Sequence, residues 1–574
     1  MAASNSDIAR IFDEVADLLE IEGANPFRVR AYRNAAQTVA SLGEAVAGMV
    51  AAGRDLTEIP GVGQDLAGKM VAIVETGKLP LLAELAGRTP RTLEGLLAVP
   101  GLGPKRVAAL HKALGITDLE GLRQAAAAGK LQTLPGFGAK AEANILAALD
   151  RKSKSGDTGR FTLAQAEPQA EALCAHLARS AGVERVVVAG SYRRRRETVG
   201  DLDLLVTGAA DSPVLQDFTR FPDVRQVTAK GPTRAAVILR TGLQVDARLV
   251  PRESCGAALH YFTGSKAHNL AVRNLGIAKG FKVNEYGVFR GEDRIAGRTE
   301  EEIYACMGLG YVEPELRENR GEIEAARAGT LPALVRVADI RGDLHAHTNY
   351  TDGRDSPREM GLAARARGYE YLAITDHSRR LAVARGLTEE RLLAQLDDID
   401  AANDGLDGVT LLKGIECDIL EDGSLDLPDA VLARLDIRVC SIHSHFGLSR
   451  DRQTERLLRA MDNPLVNILA HPTGRLIGKR EPYDVDLDRV MEGARERGCF
   501  LEINAQPDRL DLDDVRARRA KELGLRLAIS TDAHAAGQLG LLRFGVDQAR
   551  RGWLEASDVV NTLGLAALRR LLRR

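Results

Sequence analysis

The sequence predicts a multidomain protein, helical at its N-terminus, α+β in the middle and α/β towards its C-terminus. Three observations carry this. A Pro-Gly-x-Gly pattern recurs three times before residue 140. Strand-like segments gather between residues 185 and 250. From about residue 340, short apolar strands alternate with helical stretches. At ~150 residues per domain, 574 residues allow three or four domains.

Composition narrows the class. The chain is 45% hydrophobic but only 4% aromatic, so its cores must be built from Leu, Val, Ile and Ala. Net charge is −2, so overall charge does not mark a nucleic-acid binder and local charge has to be read instead. The six cysteines (Cys174, Cys255, Cys306, Cys417, Cys440, Cys499) form no C-x-x-C pair, which argues against a disulfide framework or a zinc ribbon. The first segment has no apolar signal core, and no run of about 18 apolar residues occurs. A reduced, cytoplasmic protein without a membrane partner is expected. Of eleven histidines, seven lie after residue 340, a skew that divides the chain chemically.

Residues 1 to about 150 read as helical, with Ile8, Ile11, Phe12, Val15, Leu18 and Leu19 at helical spacing. The repeats are Ile59-Pro60-Gly61-Val62-Gly63, Val99-Pro100-Gly101-Leu102-Gly103 and Leu134-Pro135-Gly136-Phe137-Gly138, spaced by 40 and 35 residues. Glycine lets such a turn tighten and approach a ligand closely, and the helix that follows points free N–H groups outward. This makes a phosphate site without sequence preference. Gly61, Gly63, Gly101, Gly103, Gly136 and Gly138 are therefore candidate DNA-backbone contacts, weighed against plain turns between packed helices. Lys69, beyond the first repeat, is placed to attack an aldehyde, with a solvated surface lysine as the alternative.

Residues 151–160 have linker composition. Strands are expected at 185–189, 201–206 and 243–249. Residues 255–320 are mixed with a Gly-rich centre, and a polar helix at about 315–329 leads to a boundary near 340. Further strands are expected at 371–375, 410–412, 437–440, 466–470, 499–503 and 525–529, an alternation that fits an α/β barrel or a doubly wound sheet.

Two constellations carry chemistry. Gly190-Ser191-Tyr192-Arg193-Arg194-Arg195-Arg196 precedes Asp201-Leu202-Asp203. Asp201 and Asp203 share one strand face while Leu202 and Leu204 point away, and Asp246 on another strand supplies a third carboxylate. Three hard oxygen donors on neighbouring strands can hold two Mg²⁺ or Mn²⁺ ions, which clamp an in-line phosphoryl displacement. Gly190 and Ser191 would seat a triphosphate and Arg194 neutralise it. The second set is His345, His347, Asp352, His377, Glu416, His443, His471, Asp532 and His534, mostly just after expected strands. Such donors suit Zn²⁺ or Mn²⁺. Arg475 is a candidate phosphate grip, and His445 is left as a polar neighbour.

The residues from Gly190 to Asp203 resemble the nucleotidyltransferase signature of family X DNA polymerases, such as the gap-filling polymerase beta. Tyr261-Phe262-Thr263-Gly264-Ser265-Lys266-Ala267-His268-Asn269 and Gly280-Phe281-Lys282-Val283-Asn284-Glu285-Tyr286 are similar to further segments of that family. The resemblance implies that Tyr261, Phe262 and Gly264 line the nucleotide site, with the first two checking the sugar. It gives Asn269 the minor-groove edge of the base and Arg273 the template strand. It also gives Asp201 and Asp203 both metals, and has Asp246 promote hydroxyl attack. The first hairpin resembles the family's deoxyribose-phosphate lyase module, with Lys69 at the Schiff-base position and Arg28 and Tyr32 near a 5′-phosphate pocket. Asp65 departs from that pattern, standing where a phosphate-binding lysine is expected.

Residues 340–574 resemble a PHP (polymerase and histidinol phosphatase) phosphoesterase domain, which implies a distorted seven-stranded barrel with up to three Zn²⁺ or Mn²⁺ ions. In that pattern His345, His347, Glu416 and Asp532 hold one ion, Glu416, His443 and His471 a second, and Asp352, His377 and His534 a third.

The resemblance divides the chain into a helical lyase-like domain (1–80), a helix-hairpin-helix subdomain (81–155), a nucleotidyltransferase palm (161–252) and a nucleotide-selecting subdomain (253–320). A linker (321–340) and the PHP domain (341–574) follow. It implies a gap-filling DNA polymerase with a 3′-5′ exonuclease, and an abasic-site or 3′-end-cleaning activity in the same barrel. Its partners are gapped DNA and deoxynucleoside triphosphates, and a nucleoid-associated cytoplasmic monomer is expected. The rival readings are a nucleotidyltransferase fused to a small-molecule phosphatase, and a DNA-binding scaffold with an inactive PHP domain.

Overall fold

The structure, a computed structural model, describes every residue except 1, 2, 4, 41, 43, 89, 90, 98, 100, 101, 139, 140, 143, 144, 147, 148, 150–158 and 574. Most of the expected linker, and Gly101 of the second hairpin, lie outside the described residues. The chain forms two compact units, Met1–Gly159 and Arg160–Arg574.

The first unit is helical and holds two apolar cores. Helices Asn5–Ile21 and Pro26–Ala40 wrap one core around Phe12, Tyr32 and Met70. The other gathers Leu93, Leu110, Leu122 and Phe137. The three hairpins share one construction. Val62, Leu102 and Phe137 are buried, and each donates its N–H to the carbonyl three residues back (Ile59, Val99, Leu134) at 3.0–3.1 Å. Gly61 and Gly136 take φ of +80° and +86°, a region that side chains other than Gly disfavour. Gly63 and Gly103 cap helices Gln64–Thr76 and Pro104–Leu114.

The second unit opens with a two-stranded ribbon of β1 (Phe161–Thr162) and β3 (Thr198–Val199) and a five-stranded mixed sheet: β2 (Val183–Val188), β4 (Asp201–Gly208), β5 (Val224–Lys230), β6 (Arg234–Leu239) and β7 (Gln244–Val250), in spatial order β2-β4-β7-β6-β5. Alternation along β4 sends Leu202, Leu204 and Val206 into a core against helix Leu163–Leu177 and leaves Asp201 and Asp203 on the opposite face. Helices Cys255–Thr263, Lys266–Ala278 and Glu300–Met307 then pack with a small antiparallel sheet of β8 (Lys282–Asn284), β9 (Gly287–Arg290) and β10 (Asp293–Ala296).

From residue 342 the chain builds seven parallel strands in sequential order: β11 (Gly342–Asp343), β12 (Tyr371–Ile374), β13 (Thr410–Asp418), β14 (Ile437–Ser441), β15 (Ile468–Leu469), β16 (Phe500–Asn504) and β17 (Leu527–Ser530). This resolves the choice between barrel and doubly wound sheet in favour of the barrel. Tyr371, Ala373, Leu412, Val439 and Phe500 fill the interior, and Leu372, Ile374, Leu411 and Leu501 face the outer helices. The seam between β11 and β17 is nearly closed. Ala346 bridges Ala533 at one end. Below it, the fully buried Asn561 donates to the Gly342 and Ile529 carbonyls, both at 2.8 Å, and accepts from the Ile529 N–H at 3.0 Å.

Asn561→Ala strips partners from three buried backbone groups, so a loss of about 2–4 kcal/mol is expected. Urea unfolding followed by barrel-reporting amide exchange checks this; a midpoint unchanged from the parent protein contradicts the seam role.

Candidate active sites

The carboxylate site depends on strand register. β4 and β7 are parallel, and Asp203 pairs directly with Asp246 while Asp201 pairs with Gln244. Paired residues of parallel strands project from the same face, so the three acids converge. Asp246 is buried and held by Arg234 Nε at 2.9 Å and Gln244 Nε2 at 3.1 Å. Burial first, and then the charges of Asp201 and Asp246, push the Asp203 carboxyl up to about 7. Burial and Asp246 also raise Asp201. Three acids crowded on one face, of which Asp246 is ion-paired with Arg234, form the donor set that suits a divalent ion.

The Gly-Ser turn lies directly against this set. Gly190 has φ of +62°, and a Cβ there would meet Asp203 Oδ2 at 2.6 Å, so only glycine fits. The Ala189 N–H donates to the Asp203 carbonyl at 2.7 Å, locking turn to strand. Arg194 does not stand free beside the turn. It is largely buried, its Nε lies 3.1 Å from Glu318, and Nη1 donates to the Thr263 carbonyl. Nη2 carries no hydrogen bond among the described residues.

Tyr261 and Phe262 end helix Cys255–Thr263 with rings edge to face at 5.0 Å, and Tyr261 is half exposed. Asn269 Nδ2 donates to the Tyr261 carbonyl at 2.6 Å, and its Oδ1 is buried without a partner among the described residues. Arg273, one turn further along the same helix, is exposed. Gly264 touches Arg194, a Cβ there falling 3.0 Å from its Nη1. Sequence reasoning missed Arg248. It lies two residues after Asp246 on β7, stacks 4.5 Å over the Phe262 ring and lowers the Asp203 carboxyl against the push of burial. The i, i+2 spacing to Asp246 was the available signal.

The histidine site sits at the C-terminal ends of the barrel strands. The alternation that buries Leu412 inside the barrel also points Glu416 inward near the end of β13. Glu416 is the hub. Its Oε2 lies 3.4 Å from His345 Nε2, 3.5 Å from His347 Nε2 and 2.7 Å from His377 Nδ1. Its Oε1 lies 3.3 Å from His443 Nε2 and 3.0 Å from His471 Nε2. Asp532 Oδ1 is 3.1 Å from His347 Nε2, and Asp352 Oδ2 is 3.5 Å from both His377 and His534. Three overlapping groups of donors result: His345, His347 and Asp532; His377, Glu416 and His443; and His347, Asp352, His377 and His534. His471 joins through Glu416.

His347 Nδ1 is buried with no hydrogen-bond partner among the described residues, and the 2.7 Å approach of His377 Nδ1 to Glu416 Oε2 lacks hydrogen-bond geometry, so these two buried atoms are also unsatisfied. Such atoms are costly unless a cation takes them. Burial opposes charge throughout, but the surrounding histidines hold Glu416 and Asp532 well below the usual carboxylate range. Burial and His377 lower His347 to about 3, leaving it neutral, the form that binds metal. Outer partners orient the rings: Glu502 on His345 Nδ1 and Asp418 on His443 Nδ1, each at 2.8 Å. Neither was foreseen. A charged residue inside the apolar strand 499–503, and an acid two residues after Glu416, were the signals. Arg475 does not line this cluster; its guanidinium donates to Glu197 at 2.7 Å and to the Leu510 carbonyl at 2.6 Å.

In the first unit, Lys69 lies 5.3 Å over the Tyr32 ring and is ion-paired with Asp65. Burial lowers its pKa, but the hydrogen bond it donates to Asp65 and the neighbouring Tyr32 outweigh this and raise it overall. Gly61, Gly63, Gly103, Gly136 and Gly138 are all exposed, and among the described residues a Cβ at any of them would meet nothing within 4 Å beyond its chain neighbours.

Family models match four parts of the chain: a helix-hairpin-helix domain at 3–79, a SAM-like helix-hairpin-helix tandem at 93–151, a DNA polymerase beta thumb at 258–318 and a PHP domain at 343–506. The chain is 40% identical, over 99% of both chains, to a protein of Bacillus subtilis named DNA polymerase/3′-5′ exonuclease PolX. A probable phosphatase of Caldanaerobacter subterraneus subsp. tengcongensis is 32% identical over 34% of this chain and 78% of its own. One from Thermoanaerobacter sp. is 29% identical over 38% and 89%.

The raised Asp203 carboxyl has a sign that can be read. Without metal the folded state holds this proton more tightly than the unfolded chain. Its stabilising contribution is present below about pH 4 and lost as pH rises towards 7. Asp203→Asn is therefore expected to melt above the parent protein at pH 8 without metal, with a smaller gap at pH 5, and Mn²⁺ should narrow the pH 8 gap. Scanning calorimetry at both pH values checks this; a gap independent of pH contradicts it.

Proposed function

The chain belongs to the family X DNA polymerases that carry a C-terminal PHP domain, and on that premise we propose that it fills short gaps in damaged DNA and trims 3′ ends in the same molecule. It is a DNA-directed DNA polymerase with a 3′-5′ exonuclease. The observation that carries the polymerase half is the register pairing of Asp203 with Asp246 beside the Gly190 turn. Asp201 and Asp203 would hold Mg²⁺ or Mn²⁺, which supplies charge neutralisation when bound, and Asp246, kept in place by Arg234, assists removal of the proton from the primer 3′-OH. The 3′ oxygen bonds to the α-phosphorus of the incoming triphosphate as the bond to the bridging oxygen breaks, and pyrophosphate leaves. Gly190, Ser191 and Arg194 Nη2 receive the triphosphate. Tyr261 and Phe262 face the sugar, Asn269 the base edge, and Arg273 the template. The exposed hairpin glycines approach the DNA backbone.

In the barrel, the nine ligand residues would hold up to three Zn²⁺ or Mn²⁺ ions, which supply an activated water and charge neutralisation for phosphoester cleavage. Glu502 and Asp418 keep the His345 and His443 rings oriented for that role. The same chemistry serves 3′-5′ trimming, blocked-end removal and incision at abasic sites. Relatives named probable phosphatases match 34–38% of this chain, whereas the relative spanning 99% of it favours DNA as the substrate. A monomer in the nucleoid-bearing cytoplasm fits this reading.

With Mn²⁺ and a labelled one-nucleotide-gap duplex, the protein should lengthen the primer when nucleotides are present and shorten it without them. Asp203→Ala should abolish lengthening, by 10³-fold or more on the order of other metal-ligand losses, and keep shortening; His345→Ala should do the reverse. Loss of both activities in either variant contradicts two separate sites.

The Lys69–Asp65 ion pair keeps the lysine protonated and places a carboxylate where a sugar phosphate would bind. Borohydride trapping on abasic DNA should therefore be weak in the parent protein and rise in Asp65→Asn. Equal trapping in both would show that Asp65 is not the restraint.

A further inference from the structure

The run Arg193–Glu197 follows the nucleotide turn directly, and its side chains are committed to neighbours on three sides. Arg193 Nη1 donates to Glu300 at 2.9 Å and to Thr263 Oγ1 at 2.7 Å. Arg194 reaches Glu318. Arg195 Nε donates 2.8 Å to Asp547, on helix Leu542–Arg551 of the barrel. Glu197 accepts from Arg475, four residues after His471. From the same barrel helix, Arg551 donates 2.7 Å to the backbone carbonyl of Arg194 and 3.1 Å to Glu318, and it is anchored at 2.6 Å on Asp514. These contacts lie over shared apolar packing, since Leu510 and Phe544 of the barrel are buried in the palm core.

A second observation points the same way. Arg195 has φ of +55°, which costs a residue with a Cβ about 1 kcal/mol. Such a conformation persists only where the surroundings over-determine it. Here Asp547 pulls one side of the guanidinium, Glu167 lies 3.5 Å away, and the Tyr192 ring lies 5.6 Å beneath. Arg551 fixes the adjoining carbonyl.

We propose that the barrel is a working part of the polymerase site: Asp547, Arg551 and Arg475 are positioning residues that hold the turn from Gly190 to Glu197 in the shape that receives a deoxynucleoside triphosphate. None of the three touches the reacting atoms. They act through Arg195, the Arg194 carbonyl and Glu197. The inference rests on the polymerase reading above. It requires that a change in the barrel, away from every metal ligand, weaken nucleotide binding more than catalysis at saturation.

The experiment measures KM and kcat for the nucleotide in one-nucleotide gap filling by Asp547→Asn, together with 3′ trimming of single-stranded DNA and the melting temperature. KM should rise about tenfold, with kcat and trimming within about twofold of the parent protein. The charge-swapped pair Arg195→Asp with Asp547→Arg should recover most of the loss, Asp being tolerated at positive φ. A KM unchanged in Asp547→Asn overturns the inference. So does a parallel fall in both activities and melting temperature without rescue by the swap, which marks a contact that only stabilises. A parent protein that adds no nucleotide overturns the polymerase reading itself, and the inference with it.

Discussion

The second unit depends on a lattice of buried arginines and carboxylates. An unpaired guanidinium in the interior is prohibitive; Arg456 is satisfied by backbone carbonyls, whereas the arginines of this lattice find acids from distant parts of the chain. Glu300 serves Arg193 and Arg317, while Glu318 serves Arg194 and Arg551. Asp514 serves Arg320 and Arg551. The arginines in return hold Glu300 and Glu318 down at about 2 against burial. The palm sheet, the region matching a polymerase beta thumb and the barrel therefore join as one compact unit, although the sequence divides them into three.

The two metal-ready sites handle charge in opposite ways. At the palm, three acids converge against the charges of Arg160, Arg234 and Arg248, and the cost appears as a carboxyl that keeps its proton near neutrality. In the barrel, histidines interleave with acids, so Glu416 and Asp532 stay ionised. The first site is left short of positive charge, as suits ions arriving with a triphosphate. The second is already internally balanced, as suits resident ions held by nitrogen as well as oxygen.

Much of this was legible in the sequence, because period and spacing are local properties. The i, i+2 acids of β4 and the residues following barrel strands could be placed before any fold was known. So could the hairpin repeat, whose middle residue is buried each time. What stayed hidden depends on pairing across the fold. Glu502 reads as one more strand residue until β16 brings it against His345. The arginine run reads as a phosphate sink, but three-dimensional packing commits it mainly to carboxylates 28 to 352 residues away in sequence. Asp65 could be seen to break a pattern, but its pairing with Lys69 required the helix.

The closure by Asn561 bears on the order in which the molecule can be made. Synthesis proceeds from the N-terminus, so the palm strands and six of the barrel strands exist before β17, and β17 before the residue that seals it to β11. Until Asn561 joins Gly342 to Ile529, the barrel wall has an open flank with unpaired edge groups. Until helix Leu542–Arg551 has been translated, then, the nascent palm lacks Asp547 and Arg551, the partners of its strained turn. The first catalytic centre to be translated is thus among the last to be completed, and a ribosome that stalls late releases a chain with neither site in its finished form.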